Sequence, residues 1–200
     1  MYQTSYCGLV TRGGLKAGET LLVHAGASGV GMAAIQIGKA LGAKVIATCG
    51  SAAKQEFCKK IGADEALNYT DPAWVDRVNE ITKKRGADVI YDPVGGDVCD
   101  LSLKCIASGG RLLIIGFTSG KIPNIPANRI LLKSMSVVGV FWGRMVKENP
   151  RYPHEVHQAL LKLGVKPVVS KEYPLAEALQ AMQAVAQREV LGKIVLSMPE

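Results

Sequence analysis

The sequence predicts an α/β fold of the Rossmann type, in which helices cover both faces of a doubly wound, six-stranded parallel sheet. Short apolar runs alternate with stretches whose apolar residues recur at helical spacing, which is typical of such sheets. A glycine-rich turn, residues 24–31, joins the first apolar run to the first helical stretch. Because crossovers between parallel strands are right-handed, a doubly wound order is the simplest topology.

Six apolar runs are predicted to form the strands, in chain order. Between the first two runs, Val30, Ile37 and Leu41 follow helical spacing, and Gly42 then ends the helix. Ser51 is expected to cap the helix that follows the second strand. The predicted strands are residues 21–25, 44–49, 65–68, 88–92, 111–116 and 135–140.

The later part of the chain has its own helix and strand signals. Asp71 and Pro72 are predicted to cap and open a helix that stops before Gly86. Beyond the sixth strand the alternation changes, and the remaining elements are not expected to extend the six-stranded set. These elements are a helix near residues 155–163, a strand at 167–169, a helix at 175–187 and a strand at 192–196.

Composition narrows the class of protein. The chain has 200 residues, of which 48% are hydrophobic and 20% charged, enough for one main core. Its formal net charge of +7 favours an anionic partner, and a phosphorylated cofactor meets that need as well as nucleic acid does. The sequence has no aromatic-interleaved basic stripe and no apolar run long enough to span a membrane, and its first five residues lack the basic-then-apolar layout of a signal peptide. We therefore expect a cytoplasmic protein without nucleic-acid or membrane partners.

The glycine turn is the strongest functional signal. Gly26, Gly29 and Gly31 have no side chains to block a pyrophosphate, and the following helix would direct its N–H groups toward that anion. The strict G-x-G-x-x-G pattern is not met, because Ser28 stands in the place of the middle glycine. The turn predicts a dinucleotide site, although an ordinary strand-to-helix turn can be equally rich in glycine.

The end of the second strand indicates which dinucleotide is bound. An NAD site usually places an acidic residue here to hold the ribose 2′-hydroxyl, and the run from Cys49 to Lys54 contains none. Ser51 and Lys54 could instead bind a 2′-phosphate, with Tyr69 covering the same corner. The alternative is that Ser51 is only a helix cap, Lys54 a solvated side chain and Tyr69 a half-buried ring.

Three further strand ends carry candidate contacts, because ligands of doubly wound sheets bind beyond the carboxyl ends of the strands. Residues 93–96 and 116–118 contain glycines that permit close approach, or that simply form tight turns. Phe141 and Trp142 could form the wall of a nicotinamide site, although aromatic residues at a strand end more often belong to a core or an interface.

No conventional catalytic or metal centre is evident. The five cysteines are scattered and are expected to be reduced, mostly buried thiols. His154 and His157 do not form an H-E-x-x-H pattern, and we expect no metal site. Without a recognisable acid/base pair, the catalytic residues stay unassigned, and any reaction would depend on the hydride chemistry of the cofactor.

Taken in order, these motifs closely resemble the medium-chain dehydrogenase/reductase superfamily, and within it the zinc-free, zeta-crystallin-like NADPH:quinone oxidoreductases. The resemblance covers nearly the whole chain. It is carried by residues 24–31, 42–47, 62–63, 68–69, 92–96, 110–111, 125–128, 131–133 and 142–144.

The resemblance implies NADP(H) as cofactor and assigns its contacts to four groups of residues. Ser28, Gly29, Val30 and Gly31 would bind the pyrophosphate, and Gly50, Ser51, Lys54 and Tyr69 would surround the 2′-phosphate. Pro93, Val94, Gly95, Gly116, Phe117, Thr118, Phe141 and Trp142 would lie along the nicotinamide half. Tyr6 and Arg188 match further positions that touch the cofactor.

The resemblance also implies a domain division. Family members begin with a GroES-like substrate domain, so residues 1–164 are expected to form the NADP(H)-binding domain and residues 165–200 a segment that returns to the absent domain. Without that domain, apolar surface is expected to be exposed and to promote self-association. The apolar residues expected to be exposed are Val168, Val169, Ile194, Val195 and Leu196.

The expected location is cytoplasmic, and it would be mitochondrial if a transit segment were lost with the missing amino-terminal part.

The implied activity is direct, zinc-independent hydride transfer from NADPH to a conjugated carbonyl of a small quinone or enone, by a homodimer. A second hypothesis is a non-catalytic NADP(H)-binding or interaction module. A third, an S-adenosylmethionine methyltransferase, is disfavoured because Cys49 and Gly50 stand where that class commonly has an acidic residue.

Overall fold

The structure, a computed structural model, describes residues 1–198. A six-stranded, all-parallel sheet has the order β3-β2-β1-β4-β5-β6, so the crossovers reverse direction between β1 and β4. This order confirms the predicted doubly wound Rossmann fold. The strands are β1 (Thr20–Val23), β2 (Lys44–Cys49), β3 (Glu65–Asn68), β4 (Ala87–Asp92), β5 (Ile106–Ile114) and β6 (Ser136–Gly139).

Helices flank this sheet and connect its strands. The first helix continues into a π-helical segment, Cys7–Arg12. The α-helices are α1 (Tyr2–Tyr6), α2 (Gly29–Ala40), α3 (Ala52–Lys60), α4 (Trp74–Ile81), α5 (Gly96–Ser102), α6 (Ala127–Lys133), α7 (Trp142–Glu148), α8 (Tyr152–Leu163) and α9 (Ala178–Ala186).

Several predicted boundaries are shifted, most of them by one or two residues, and three of the differences have a clear structural reason. The first strand ends at Val23 rather than Ala25, whose φ of +50° belongs to the glycine turn. The fifth strand begins at Ile106, because residues 107–110 form a bulge against β4 before pairing resumes at Arg111. Helix α4 begins at Trp74, since the Asp71 carboxylate accepts a hydrogen bond from the Ala73 N–H just before the helix instead of capping it.

The sheet is buried on both faces, because successive side chains of one strand enter different apolar clusters. On β1, Leu21 and Val23 join the cluster beneath α2, α3 and α8, whereas Leu22 joins the cluster beneath α4 and α5. The same alternation places Val45 on one face and Ile46 on the other. A parallel sheet covered in this way is expected to have nearly continuous apolar strands.

Residues 169–197, near the C-terminus, form a separate, smaller sheet. Strands β7 (Val169–Pro174) and β8 (Lys193–Ser197) pair in parallel, with α9 in the crossover. They do not join the six-stranded sheet, as predicted, although β7 begins where the predicted strand at 167–169 was to end. Val169, Val195 and Leu196 are exposed, whereas Val168 and Ile194 are half-buried. The domain boundary after residue 164 remains a prediction, and Pro199 and Glu200 lie outside the described residues.

The five cysteines are buried and unpaired with one another by disulfides, as expected. In the described part of the chain, every helix is too short or too polar to cross a membrane.

Candidate functional site

The glycine turn lies between the carboxyl end of β1 and the start of α2. The Gly26 N–H donates to the Thr48 carbonyl oxygen at 2.9 Å, and the Ser28 hydroxyl accepts from the Gly31 N–H at 3.1 Å. Ser28 therefore caps α2 through the Gly31 N–H, whereas the Gly29 and Val30 N–H groups have no hydrogen-bond partner among the described residues and remain available to an anion.

The three glycines of the turn serve different purposes. A Cβ on Gly31 would lie 2.2 Å from the Ala25 carbonyl oxygen, and one on Gly26 would lie 2.9 Å from both the Ala47 Cβ and the Cys58 Sγ. These two positions require glycine for packing. A Cβ on Gly29 would meet only the flexible Met1 and Lys193 side chains. Gly29 thus keeps the outer surface of the turn free of a fixed side chain, which is what a ligand needs.

The predicted 2′-phosphate residues lie together beyond β2. The Tyr69 ring covers Gly50, where a Cβ would lie 2.7 Å from the phenolic oxygen. The Ser51 hydroxyl accepts from the Lys54 N–H at 3.4 Å, so Ser51 also performs the capping role that the alternative hypothesis gave it. The hydroxyl can still donate a hydrogen bond to a ligand.

Lys54 links this corner to the C-terminal region. Its Nζ donates to the Arg188 carbonyl oxygen at 2.6 Å across 134 residues of sequence. Arg188 follows α9 with a φ of +59°, a left-handed conformation that favours glycine. Lys54 thus brings a positive charge to this corner, and the Arg188 backbone lies against it.

Lys193 is a candidate that sequence reasoning missed. The Gly192 N–H donates to the Ala27 carbonyl oxygen at 2.8 Å, which fixes the start of β8 against the glycine turn. The Lys193 Cδ then lies 3.4 Å from the place of a Gly29 Cβ. Burial, followed by the charge of Lys193, lowers the pKa of the Met1 amino group. No local spacing signals this proximity, because it arises from tertiary packing.

The loops after β4 and β5 lie against each other. The Asp92 carboxylate accepts hydrogen bonds from the Val94 and Gly95 N–H groups at 2.8 and 3.0 Å. The Thr118 N–H donates to the Pro93 carbonyl oxygen at 3.1 Å. These bonds order the predicted contacts of residues 93–95 and 116–118, including an exposed Phe117. Gly116 has no close neighbour that demands glycine.

The two predicted rings at the end of β6 separate. Phe141 is 75% exposed, whereas Trp142 packs against Tyr152 with ring centroids 5.3 Å apart. Only Phe141 therefore presents its ring fully to solvent, and Trp142 takes the packing role that the alternative reading gave it. Tyr6 is half-buried and packs against the same apolar cluster.

A glycine turn, a capped helix N-terminus and a cationic corner at one edge of a doubly wound sheet define a Rossmann-type dinucleotide-binding domain. The model of the zinc-binding dehydrogenase family matches residues 29–162, and the chain belongs to that family, within the medium-chain dehydrogenase/reductase superfamily. In residues 1–198, no group of three or more His, Cys, Asp or Glu side chains could hold a metal ion.

Three relatives illustrate the similarity. A quinone oxidoreductase-like protein 2 homolog from Nematostella vectensis is 37% identical over 98% of this chain and 55% of its own length. A probable oxidoreductase from Mycobacterium abscessus has a TM-score of 0.87 at 40% identity, covering 98% of this chain and 59% of that one. A mycobacterial protein in complex with NADPH has a TM-score of 0.85 at 33% identity, covering 98% and 62%. The chain thus spans little more than half of the length of these relatives.

Proposed function

We propose that the chain is the NADP(H)-binding part of a reductase that transfers hydride from NADPH to a conjugated carbonyl of a small quinone or enone. The main support for this proposal is the corner beyond β2, where Lys54 and Arg188 meet and where the run from Cys49 to Lys54 contains no carboxylate. The NADPH complex of a mycobacterial protein of similar fold and the quinone oxidoreductase-like relative support this proposal.

In the proposed site, each group of residues holds one part of the cofactor. The turn and the N-terminus of α2 would bind the pyrophosphate, and Lys193 would add a positive charge beside Gly29. The contacts assigned to the pyrophosphate are Ser28, Gly29, Val30, Gly31 and Lys193. Those assigned to the 2′-phosphate are Gly50, Ser51, Lys54, Tyr69 and Arg188.

The remaining residues would orient the nicotinamide end. Asp92 fixes the loop of residues 93–95 from beneath, and the bond from the Thr118 N–H to the Pro93 carbonyl holds the second loop beside it. Phe141 would screen this end from water. When bound, NADPH supplies the hydride. The proposed mechanism assigns no zinc and no acid/base side chain of this chain to the reaction. Tyr6 completes the set of proposed contacts.

Lys54→Ala tests the cofactor assignment. Removing one charge-assisted hydrogen bond to the 2′-phosphate is expected to weaken NADPH binding about tenfold and to leave NADH binding unchanged. Lys60→Ala removes the same charge from an exposed position of α3 and serves as the matched control. Titrations of both nucleotides measure the result. Equal affinity of the wild-type protein for NADPH and NADH, unchanged by Lys54→Ala, would contradict the assignment.

A second candidate function is a non-catalytic NADP(H)-binding module. It is favoured by the exposed apolar side chains of the small C-terminal sheet, Val169, Val195 and Leu196, which could contact another protein surface. Steady-state reduction of a quinone by this chain separates the two functions. Binding of NADPH without turnover supports the module, whereas turnover supports the reductase.

The proposed homodimer would form at the edge of the six-stranded sheet. Strand β6 is an edge strand, and beside it Leu131 and Leu132 of α6 are 77% and 78% exposed. A second copy related by a two-fold axis could pair with this strand and cover the leucines. Light scattering over a range of concentrations measures the oligomeric state, and a monomer throughout would contradict the proposal.

A further inference from the structure

A chain of buried polar side chains lies beneath the candidate cofactor site. His24 follows β1, and its Nδ1 is 2.8 Å from the Thr48 hydroxyl of β2. Its Nε2 is 2.7 Å from the hydroxyl of Ser102, the last residue of α5. All three side chains are fully buried. The imidazole therefore links the carboxyl ends of β1 and β2 to the end of helix α5 on one face of the sheet.

The hydrogen bonds fix the tautomer of His24. The Ser102 hydroxyl has one hydrogen, which it donates to the Val98 carbonyl oxygen at 2.6 Å. It must therefore accept from the Nε2–H of His24, which leaves Nδ1 to accept from Thr48. Burial lowers the pKa of His24 despite the opposing charge of Asp92, so the ring is neutral, as this arrangement requires.

Main-chain bonds connect this ring to the glycine turn. The Thr48 carbonyl oxygen accepts from the Gly26 N–H at 2.9 Å, and the His24 N–H donates to the Tyr91 carbonyl oxygen at 3.0 Å. The edge of the Trp74 ring packs against the imidazole, with centroids 5.5 Å apart and an interplanar angle of 83°. The ring therefore has little freedom to move.

The bond from His24 to Ser102 leads, through helix α5, to the nicotinamide half of the candidate site. Helix α5 begins at Gly96, directly after the loop of residues 93–95, and ends at Ser102. The bond from the His24 ring to Ser102 consequently joins the turn that follows β1 to the helix that follows β4. An imidazole that only filled the core would not need to connect these two parts.

We propose that His24 is a positioning residue, whose neutral ring sets the placement of the glycine turn relative to α5 and to the loop before it. The inference rests on the proposed NADP(H) site. Loss of one of the ring's hydrogen bonds should therefore weaken cofactor binding by more than the accompanying loss of stability accounts for.

NADPH titrations of Thr48→Val and Ser102→Ala test this proposal. Each variant removes one partner of the ring, and each is expected to weaken NADPH binding about fivefold. Thr82→Val is the matched control, because the buried Thr82 hydroxyl donates to the Val78 carbonyl and accepts from the Gly86 N–H far along the chain from the turn. Thermal unfolding of all three variants measures the accompanying loss of stability.

The control is expected to lose stability while its NADPH affinity stays within about twofold of that of the wild-type protein. An equal affinity loss in Thr82→Val, or wild-type affinity in Ser102→Ala, would overturn the proposal. Absence of NADPH binding by the wild-type protein would instead refute the proposed function, and this inference with it.

Two measurements guard against a simple folding defect. His24→Gln can still donate an amide N–H toward Ser102, whereas His24→Leu cannot, so glutamine is expected to recover most of the affinity that leucine loses. Nitrogen chemical shifts of the histidine ring report the tautomer without cofactor. The expected result is hydrogen on Nε2, and hydrogen on Nδ1 or equal affinities of the two variants would contradict the proposal.

Discussion

The six-stranded sheet and the small C-terminal sheet differ in how far their apolar side chains are covered. Leu22 of β1 is fully buried between the sheet and its helices, whereas Leu196 of β8 is 42% exposed. Within residues 1–198, the ion pairs all lie between Glu19 and Glu148, none of them in the small sheet. The larger sheet is covered on both faces by helices of this chain, whereas the smaller one leaves apolar side chains available to a second protein surface.

The largest expected effect separates the cores of the two sheets. Leu22→Ala should lower the free energy of unfolding by about 2–5 kcal/mol, because it opens a cavity between packed layers. Leu196→Ala, the same change at an exposed strand position, should lower it by about 0.5 kcal/mol or less. Urea unfolding measures both values. Equal losses would mean that the small sheet is covered in solution, for example by self-association.

An intermediate effect is expected where the two regions meet at the glycine turn. Gly31→Ala should lower the free energy of unfolding by about 1–3 kcal/mol, since the new Cβ would lie 2.2 Å from the Ala25 carbonyl oxygen. This loss should appear even though alanine is intrinsically more favourable than glycine in a helix by about 1 kcal/mol. Chemical unfolding of the variant checks it.

Gly29→Ala is the matched comparison, because its Cβ would meet only the side chains of Met1 and Lys193. Its stability should change by about 0.5 kcal/mol or less, whereas its NADPH affinity should fall because the methyl group enters the proposed pyrophosphate site. A stable Gly31→Ala variant, or unchanged NADPH binding by Gly29→Ala, would show that the two glycines do not have the roles assigned to them.

The smallest effect concerns acid stability at the amino end of the large sheet. Burial raises the pKa of Asp88, but bonds from the Arg85 guanidinium and the Thr20 N–H outweigh it and hold that pKa below its usual value. The resulting stabilisation is present above the unfolded pKa of about 3.9 and is lost as the pH falls through the lower folded value.

Asp88→Asn should therefore be about 0.5–1 kcal/mol less stable than the wild-type protein at neutral pH, and the difference should shrink near about pH 2–3. Unfolding in urea across this range measures the difference. Asp76→Asn, at an exposed position of α4 and without an ion pair among the described residues, is the control. A difference that grows in acid would contradict the sign of the pKa shift.

Much of the large sheet could be predicted because its signals are local. Ser51 precedes α3 as the predicted cap, and the segments that follow β2 and β4 bring the expected residues to one edge of the sheet. The start of β5 could not be predicted in the same way. Gly109 and Gly110 look like a turn, and only the pairing of β4 with Ile106 shows that they form a bulge.

Contacts across long sequence separations escaped prediction altogether. Lys193 reaches the glycine turn only because Gly192 bonds to Ala27, and His24 finds Ser102 only through the packing of α5. Neither pairing leaves a periodic or spaced pattern in the sequence. The exposure of Phe141 and the packing of Trp142 are likewise decided by α8, which supplies Tyr152.

The left-handed backbone of Arg188 places two selective pressures in opposition. Glycine at this position would relax the end of α9, so a search for heat-resistant variants should favour it. The same replacement would remove a guanidinium from the corner that is proposed to distinguish NADPH from NADH. Variants evolved for thermal tolerance alone are thus expected to drift toward indifference between the two coenzymes.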